Sequence, residues 1–276
     1  MPDAPEPDVA ILCGGLGTRL RPVFSSLPKC LAPVGGRPFL DHLLAQLEAQ
    51  PTFAGRPPAG QAEARLRFPA TGARSARGAC EFSRIPAGCR RIVLCTGYGA
   101  EAFQARYAHW RGPGVELILS TEAAPLGTGG ALALALPQLR TDPVLVLNGD
   151  SIVPGLDFAA VRRTAARQSA AGAAGVVVLV PADGRRDIGA VGVDASGRLT
   201  SFAEKSAAGA AALQNAGVYL LRRGALEAIP ADRPSSLERD WLPRWLSQGL
   251  GGYVHNGALV DIGTPERWAR AQEQWV

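Results

Sequence analysis

The sequence predicts an α/β fold built on a doubly wound, mixed but mostly parallel sheet with a smaller second lobe. Three observations carry that expectation. Short apolar runs of strand length alternate with stretches of helical period, an order that requires crossover connections and a sheet covered on both faces. The 276 residues are 47% hydrophobic, enough to bury a full core. The first apolar run empties into a glycine-rich turn, and in sheets of this kind ligands sit beyond the carboxyl ends of the strands.

Val9 to Cys13 reads as a buried strand running into Gly14, Gly15 and Gly17. Leu40, Leu43, Leu44 and Leu47 then recur at i, i+3, i+4 and i+7, the apolar stripe of a helix lying on a sheet. Arg91 to Thr96 is a second strand, Ala100 to His109 a helix, Val115 to Thr121 a third strand and Thr128 to Leu136 a helix. Pro143 to Leu147 makes a fourth strand leading into Asn148, Gly149 and Asp150. Val176 to Val180 is a buried strand, and the shorter strands at Ala190 to Val193, Thr200 to Phe202 and Gly217 to Leu221 predict a second lobe over the first. A helix near Leu237 to Leu246 precedes strands around Tyr253 and Val260, and Pro265 to Gln274 closes as a helix. The order is Rossmann-like, with 1–276 expected as one domain, 1–150 its first half and 151–276 its second. No hexapeptide repeat points to a trailing β-helix.

The formal charge of +5 is concentrated rather than spread. Between Pro51 and Gly88 stand six arginines against two glutamates, with five prolines and no sustained apolar period, so 51–88 reads as an inserted loop or a docking element for an acidic partner. The rest of the chain is nearly neutral, which argues against nucleic acid as a partner. No run approaches the roughly 20 apolar residues of a membrane span, and the acidic, proline-rich start has no signal-peptide pattern. A cytoplasmic protein with no membrane partner, monomeric or homo-oligomeric, is expected. The five cysteines show no metal-ligand spacing and read as reduced thiols.

The glycine turn carries the chemistry. Bare main-chain amides at Gly14, Gly15 and Gly17 let a polyphosphate approach, and Arg19 and Lys29 bring two cations to the same mouth. Taken alone, the turn is equally a tight connection after a strand. No G-K-[ST] closes it as in a P-loop, and Leu20 stands where a dinucleotide fingerprint needs its third glycine. Asp150 in N-G-D and Asp261 in V-D-I-G each suit a turn cap. Together, at strand ends, they are the carboxylates a hard divalent cation requires. Glu204-Lys205 is a solvated pair or a phosphate holder, and Asn215 a turn residue or a handle for a hydroxyl. His42, His109 and His255 are scattered, and no G-x-S-x-G or H-E-x-x-H motif is present. A site rich in Gly, Arg, Lys and Asp but poor in nucleophiles suits phosphoryl or nucleotidyl transfer.

These segments, G-G-L-G-T-R-L-R-P with P-K, P-L-G-T-G-G-A-L, V-L-N-G-D, F-A-E-K, N-A-G-V-Y and D-I-G-T-P-E, resemble the sugar-1-phosphate nucleotidyltransferases in type and order from Leu12 to Glu266. Only 51–88 departs, where most relatives have a short turn. The resemblance implies that Leu12, Gly14, Gly15, Gly17 and Thr18 hold the nucleotide, that Arg19 and Lys29 stabilise its phosphates, and that Asp150 and Asp261 bind Mg²⁺. Glu204 and Lys205 would contact the sugar phosphate in a smaller sugar-binding lobe, Asn215 a sugar hydroxyl, and Gly127 would lie against the base. NTP and sugar 1-phosphate are the implied partners.

Glu122, five residues before Gly127, reads either as an exposed loop glutamate or as a carboxylate aimed at the base edge. A carboxylate only accepts hydrogen bonds, and guanine offers two adjacent donors, so GTP is favoured over UTP. Among relatives, G-R-P-F-L-D and S-L-E-R-D-W-L-P look most like the D-glycero-D-manno-heptose 1-phosphate guanylyltransferases. N-acetylmuramate 1-phosphate uridylyltransferases and mannose-1-phosphate guanylyltransferases are the alternatives, and a catalytically silent nucleotide-sugar-binding subunit is the reading from another class.

Overall fold

The computed structural model describes residues 6–25, 27–48, 91–110, 115–184, 190–203 and 212–274. The arginine-rich stretch 51–88 and the pair Glu204 and Lys205 lie outside them. Strand β1 (Val9–Leu12) is followed by a 3-10 turn at Lys29–Leu31, by the small hairpin β2 (Pro33–Val34) and β3 (Arg37–Pro38), and by helix α1 (Phe39–Glu48). Next come β4 (Arg91–Thr96), α2 (Ala100–Tyr107), β5 (Glu116–Thr121), α3 (Gly127–Ala135) and β6 (Val144–Asn148). β7 (Ser151–Ile152) and α4 (Phe158–Ala170) lead into β8 (Gly175–Pro181), β9 (Ala190–Val193), β10 (Leu199–Ala203) and β11 (Leu213–Leu221). The chain continues through α5 (Arg223–Glu227), a π-helical turn at Leu237–Trp241, α6 (Leu242–Trp245), β12 (Gly251–Val254), β13 (Val260–Asp261) and α7 (Pro265–Gln274).

Among the described residues, nine strands share one sheet. β6, β1, β4 and β5 run parallel in that spatial order, because each connection between them passes through a helix or a long segment. β11 then pairs antiparallel with β6 through Val218 to Leu221 and with β9 through Leu213 and Gln214 along one edge, and carries β8 on the other. Strands β8 to β12 of the second half therefore extend the same sheet. A separate two-stranded ribbon, β7 with β13, stands beside the carboxyl end of β6.

Side chains alternate between two cores, as the two-residue strand period requires. Val9, Ile11, Ile92 and Leu94 face one core with α1 and α2; Ala10, Val93 and Cys95 face the other with α3 and α6. The predicted stripe of α1 is realised, since Leu40, Leu43, Leu44 and Leu47 are all buried. Each such side chain contributes about 1.5–3 kcal/mol relative to exposure. Helix α4, which the sequence reading passed over, starts where the Asp157 carboxylate accepts the Ala160 amide at 3.0 Å, and it buries Phe158, Val161 and Ala165. Helix α7 docks on the β2–β3 hairpin: the Trp268 indole and the Gln272 amide both donate to the Pro33 carbonyl, at 2.8 and 2.9 Å. Among the described residues no helix is long and apolar enough to cross a membrane.

Candidate active site

Two cavities of about 360 and 350 Å³ open at the carboxyl edge of the parallel strands, the position expected of ligand sites in such sheets. They share Lys29, Thr128, Asn148 and Asp150 as a common wall. The first is lined by Leu12, Gly14, Gly15, Glu122 and Gly127; the second by Arg19, Asn215, Glu238, Asp261 and Arg267.

The first cavity exists because three segments meet with little side-chain bulk. β1 ends beside β6, where the Gly149 amide donates to the Leu12 carbonyl at 3.0 Å. Glu122 follows β5, and its Oε2 accepts the Leu126 amide at 2.9 Å, which ties the carboxylate to the loop entering α3. A Cβ on Gly97 would stand 2.4 Å from Glu122 Oε1, so only glycine admits the carboxylate there. Burial pushes the Glu122 carboxyl upward, against the smaller pull of the Leu126 amide. Gly127 opens α3 at φ +69°, and a Cβ on it would lie 2.5 Å from the Ser235 carbonyl oxygen; left-handed backbone and lack of room both demand glycine. Gly17 and Thr18 line neither cavity. They form a turn in which the Gly17 carbonyl accepts the Leu20 amide at 2.9 Å.

The second cavity is organised by charge. Lys29 Nζ donates to Asp150 Oδ2, and Ser151 Oγ donates to Asp150 Oδ1 at 3.0 Å. Burial alone would raise the Asp150 carboxyl, but the Lys29 charge and these hydrogen bonds outweigh it and hold Asp150 below the ordinary carboxylate range. Asp261 is brought beside it by the ribbon: Asp261 sits opposite Ser151, and the Ile262 amide donates to the Asp150 carbonyl at 3.1 Å. Asp261 Oδ1 accepts from the Gly263 amide at 2.8 Å and from Arg267 Nη1 at 3.1 Å. A Cβ on Gly263 would fall 2.7 Å from Asp261 Oδ1, 2.9 Å from Arg267 Nη1 and 3.6 Å from Lys29 Nζ, which shows how closely these groups converge. Three carboxylates, Asp150, Glu238 and Asp261, and three basic side chains, Arg19, Lys29 and Arg267, thus line the second cavity.

Asn215 lies in β11, not in a turn, at a point where the register with β8 shifts between Asn215 and Tyr219. Its Oδ1 accepts the Gly217 amide at 3.1 Å and its Nδ2 donates to the Tyr219 hydroxyl at 2.7 Å. Of the site residues singled out in the sequence, Leu12, Gly14, Gly15, Arg19, Lys29, Glu122, Gly127, Asp150, Asn215 and Asp261 all line one or both cavities. The sequence reading missed Glu238, Thr128, Asn148 and Arg267. Thr128, Asn148 and Glu238 all stood inside recognised segments, P-L-G-T-G-G-A-L, V-L-N-G-D and S-L-E-R-D-W-L-P, and Arg267 directly follows D-I-G-T-P-E.

Cys13, Cys30 and Cys95 are buried free thiols, burial pushing Cys95 up to about 12. His42 Nε2 lies 2.8 Å from the Val34 carbonyl, and His255 Nε2 lies 3.1 Å from that of Pro154. Among the described residues no cluster of three His, Cys, Asp or Glu side chains could hold a metal by itself.

Comparison with known proteins agrees with this architecture. The chain is 31% identical over 272 residues to a mannose-1-phosphate guanylyltransferase from Mycobacterium tuberculosis, aligning with 98% of this chain and spanning 64% of the length of that relative. It is 26% identical to the D-glycero-alpha-D-manno-heptose 1-phosphate guanylyltransferase of Aneurinibacillus thermoaerophilus, covering 97% of each. Its fold superposes on the crystal structure of HddC from Yersinia pseudotuberculosis with a TM-score of 0.72 and 27% identity, over 98% of this chain and 99% of that one. HddC has also been crystallised in complex with GMP-PN. The profile of the nucleotidyl transferase family matches residues 81–275, and the chain belongs to that family.

Proposed function

We propose that this protein joins GTP to a heptose 1-phosphate, giving a GDP-sugar and pyrophosphate, with 1–150 forming the nucleotide half and 151–276 the sugar-phosphate half. The observation that carries the reading is the wall of Lys29, Thr128, Asn148 and Asp150 common to both cavities. A nucleotide in the first cavity and a sugar phosphate in the second would meet across that wall. The carboxylate of Glu122 in the first cavity supports guanine, whose adjacent N1 and N2 donors an acceptor-only group suits. Support for the sugar comes from the heptose-acting relative that this chain matches over nearly its whole length. Mannose 1-phosphate is the second reading, favoured by the higher identity to the mannose-1-phosphate relative.

The chemistry needs no protein base. A phosphate monoester has a second pKa of about 6, so the attacking oxygen is anionic at pH 7. It attacks the α-phosphorus in line; the new P–O bond forms as the bond to the α,β-bridging oxygen breaks, and that electron pair leaves with pyrophosphate. Lys29 and Arg19 hold the phosphates and take up charge as it develops. Asp150, in the turn before β7, and Asp261, in β13, are two hard oxygen donors facing one cavity and fit Mg²⁺, whose remaining positions substrate oxygens and water would fill. Bound there, the ion would supply Lewis-acid stabilisation of the phosphate charge. Arg267, paired with Asp261, orients that carboxylate. Glu204 and Lys205, which follow β10 in the chain, would contact the sugar phosphate.

The test is pyrophosphate release measured over the four common NTPs against a panel of sugar 1-phosphates. Turnover is expected with GTP and a heptose or mannose 1-phosphate. Turnover confined to UTP, or to no pair, would refute the reading.

A further inference from the structure

We propose that the Glu238 carboxylate is a positioning residue for the sugar, acting through the Tyr219 hydroxyl to fix the Asn215 amide that meets a sugar hydroxyl; this rests on reading the second cavity as the sugar-phosphate site.

The direction of every hydrogen in this chain is set by the backbone. A main-chain N–H can only donate, so the Gly217 amide at 3.1 Å places the Asn215 oxygen on its own side and turns Nδ2 toward Tyr219. The Tyr219 hydroxyl accepts from Nδ2 at 2.7 Å, so its one proton goes to Glu238 Oε1 at 3.2 Å. The other carboxylate oxygen is fixed likewise. The Leu237 amide donates to Thr128 Oγ1 at 2.8 Å, so the Thr128 proton goes to Glu238 Oε2, also at 2.8 Å. Glu238 therefore receives donors on both oxygens, Tyr219 and, at 3.5 Å, Asn148 Nδ2 on Oε1, and Thr128 and, at 3.3 Å, Ser236 Oγ on Oε2, a task a carboxylate performs and a carboxamide, with one oxygen, does not.

The phenol keeps its proton throughout the working pH range, since burial and then the neighbouring Glu238 charge push Tyr219 far up. Asn215 and Glu238 both line the second cavity. With one Nδ2 hydrogen held by Tyr219, the amide has its second to offer to a ligand hydroxyl. Thr128 belongs to the wall between the cavities, so the same carboxylate anchors the start of α3. A brace without a role in recognition would use the same contacts, and the two differ in what substitution does to substrate binding.

Steady-state kinetics of wild type, Glu238→Gln, Tyr219→Phe, Asn215→Ala and the double variant Glu238→Gln/Asn215→Ala separate them. Glu238→Gln and Tyr219→Phe are each expected to raise KM for the sugar 1-phosphate about tenfold, the scale of one lost hydrogen bond. kcat and KM for GTP should stay within about twofold. On the Asn215→Ala background, Glu238→Gln should add less than about twofold, because the two act in series. Tyr219→Phe, which removes one hydroxyl, reads the same chain whether or not Glu238→Gln folds. Unchanged sugar KM with a lowered Tm, or a full additive loss on the Asn215→Ala background, would overturn the proposal alone. A wild type that turns over no NTP and sugar 1-phosphate pair would overturn the functional reading beneath it.

Discussion

Lys29 and Asp150, 121 residues apart in the chain, meet as an ion pair on the wall between the two cavities. Lys29 begins the 3-10 turn after the glycine loop, and Asp150 occupies the turn between β6 and β7, so the pair links the start of the nucleotide half to its end. Removing Lys29 leaves the partly buried Asp150 carboxylate without its cation. Lys29→Ala is expected to lower kcat on the order of 10²–10³, as loss of one preorganised donor does. Pyrophosphate release at saturating substrates checks this, and turnover near wild type would remove Lys29 from the mechanism.

Asp261 reaches the wall only through the β7–β13 ribbon, where it stands opposite Ser151. Asp261→Asn keeps the size of the side chain and its hydrogen bond to Gly263 while removing its charge. The Mg²⁺ concentration giving half-maximal rate should rise about tenfold or more, read by titrating turnover with the metal. An unchanged requirement would place the ion elsewhere.

Glu122 presents a carboxylate to the first cavity, with one oxygen tied to the Leu126 amide. In Glu122→Gln an acceptor becomes a donor facing guanine's own donors. The ratio of kcat/KM for GTP to that for UTP should fall about tenfold. A preserved ratio would detach base choice from this residue.

The same group gives a pH dependence. Burial raises the Glu122 carboxyl, so it takes up a proton at a higher pH than an ordinary glutamate, and the protonated form loses acceptor capacity toward guanine. KM for GTP should climb as pH falls through that raised pKa and be restored above it. Glu122→Gln should lack this limb. Superimposable KM profiles for the two proteins would contradict the assignment.

The legible parts of the fold were those with strong local pattern. β4 and β9 fall on the predicted residues, because each is a compact apolar run bounded by turn residues, and α7 likewise matches Pro265 to Gln274, with a proline at its start. α4 was passed over although Asp157 caps it and Phe158, Val161 and Ala165 form a buried stripe at helical spacing. β2, β3 and β7 are two-residue strands that no period can reveal. The start of β11 was hidden by Asn215, which reads as a turn residue but sits inside the strand at its register shift.

At the site, the charged and glycine residues of the motifs were found, whereas the polar residues Thr128, Asn148 and Glu238 inside recognised segments were not singled out, because their partners come from distant parts of the chain. Glu238 lies 110 residues from Thr128 and 19 from Tyr219. Its importance rests on the folding of the π-helical turn against α3, which local spacing does not encode. Arg267 likewise gains its meaning from Asp261, six residues earlier across the β13–α7 turn.

The most direct test follows the α-phosphate. With GTP labelled at that position and a heptose or mannose 1-phosphate, wild-type protein should move the label into a nucleotide-sugar while releasing an equimolar amount of pyrophosphate. Label recovered as free GMP, or left in GTP with every sugar phosphate tried, would contradict a nucleotidyl transfer across the Lys29–Asp150 wall.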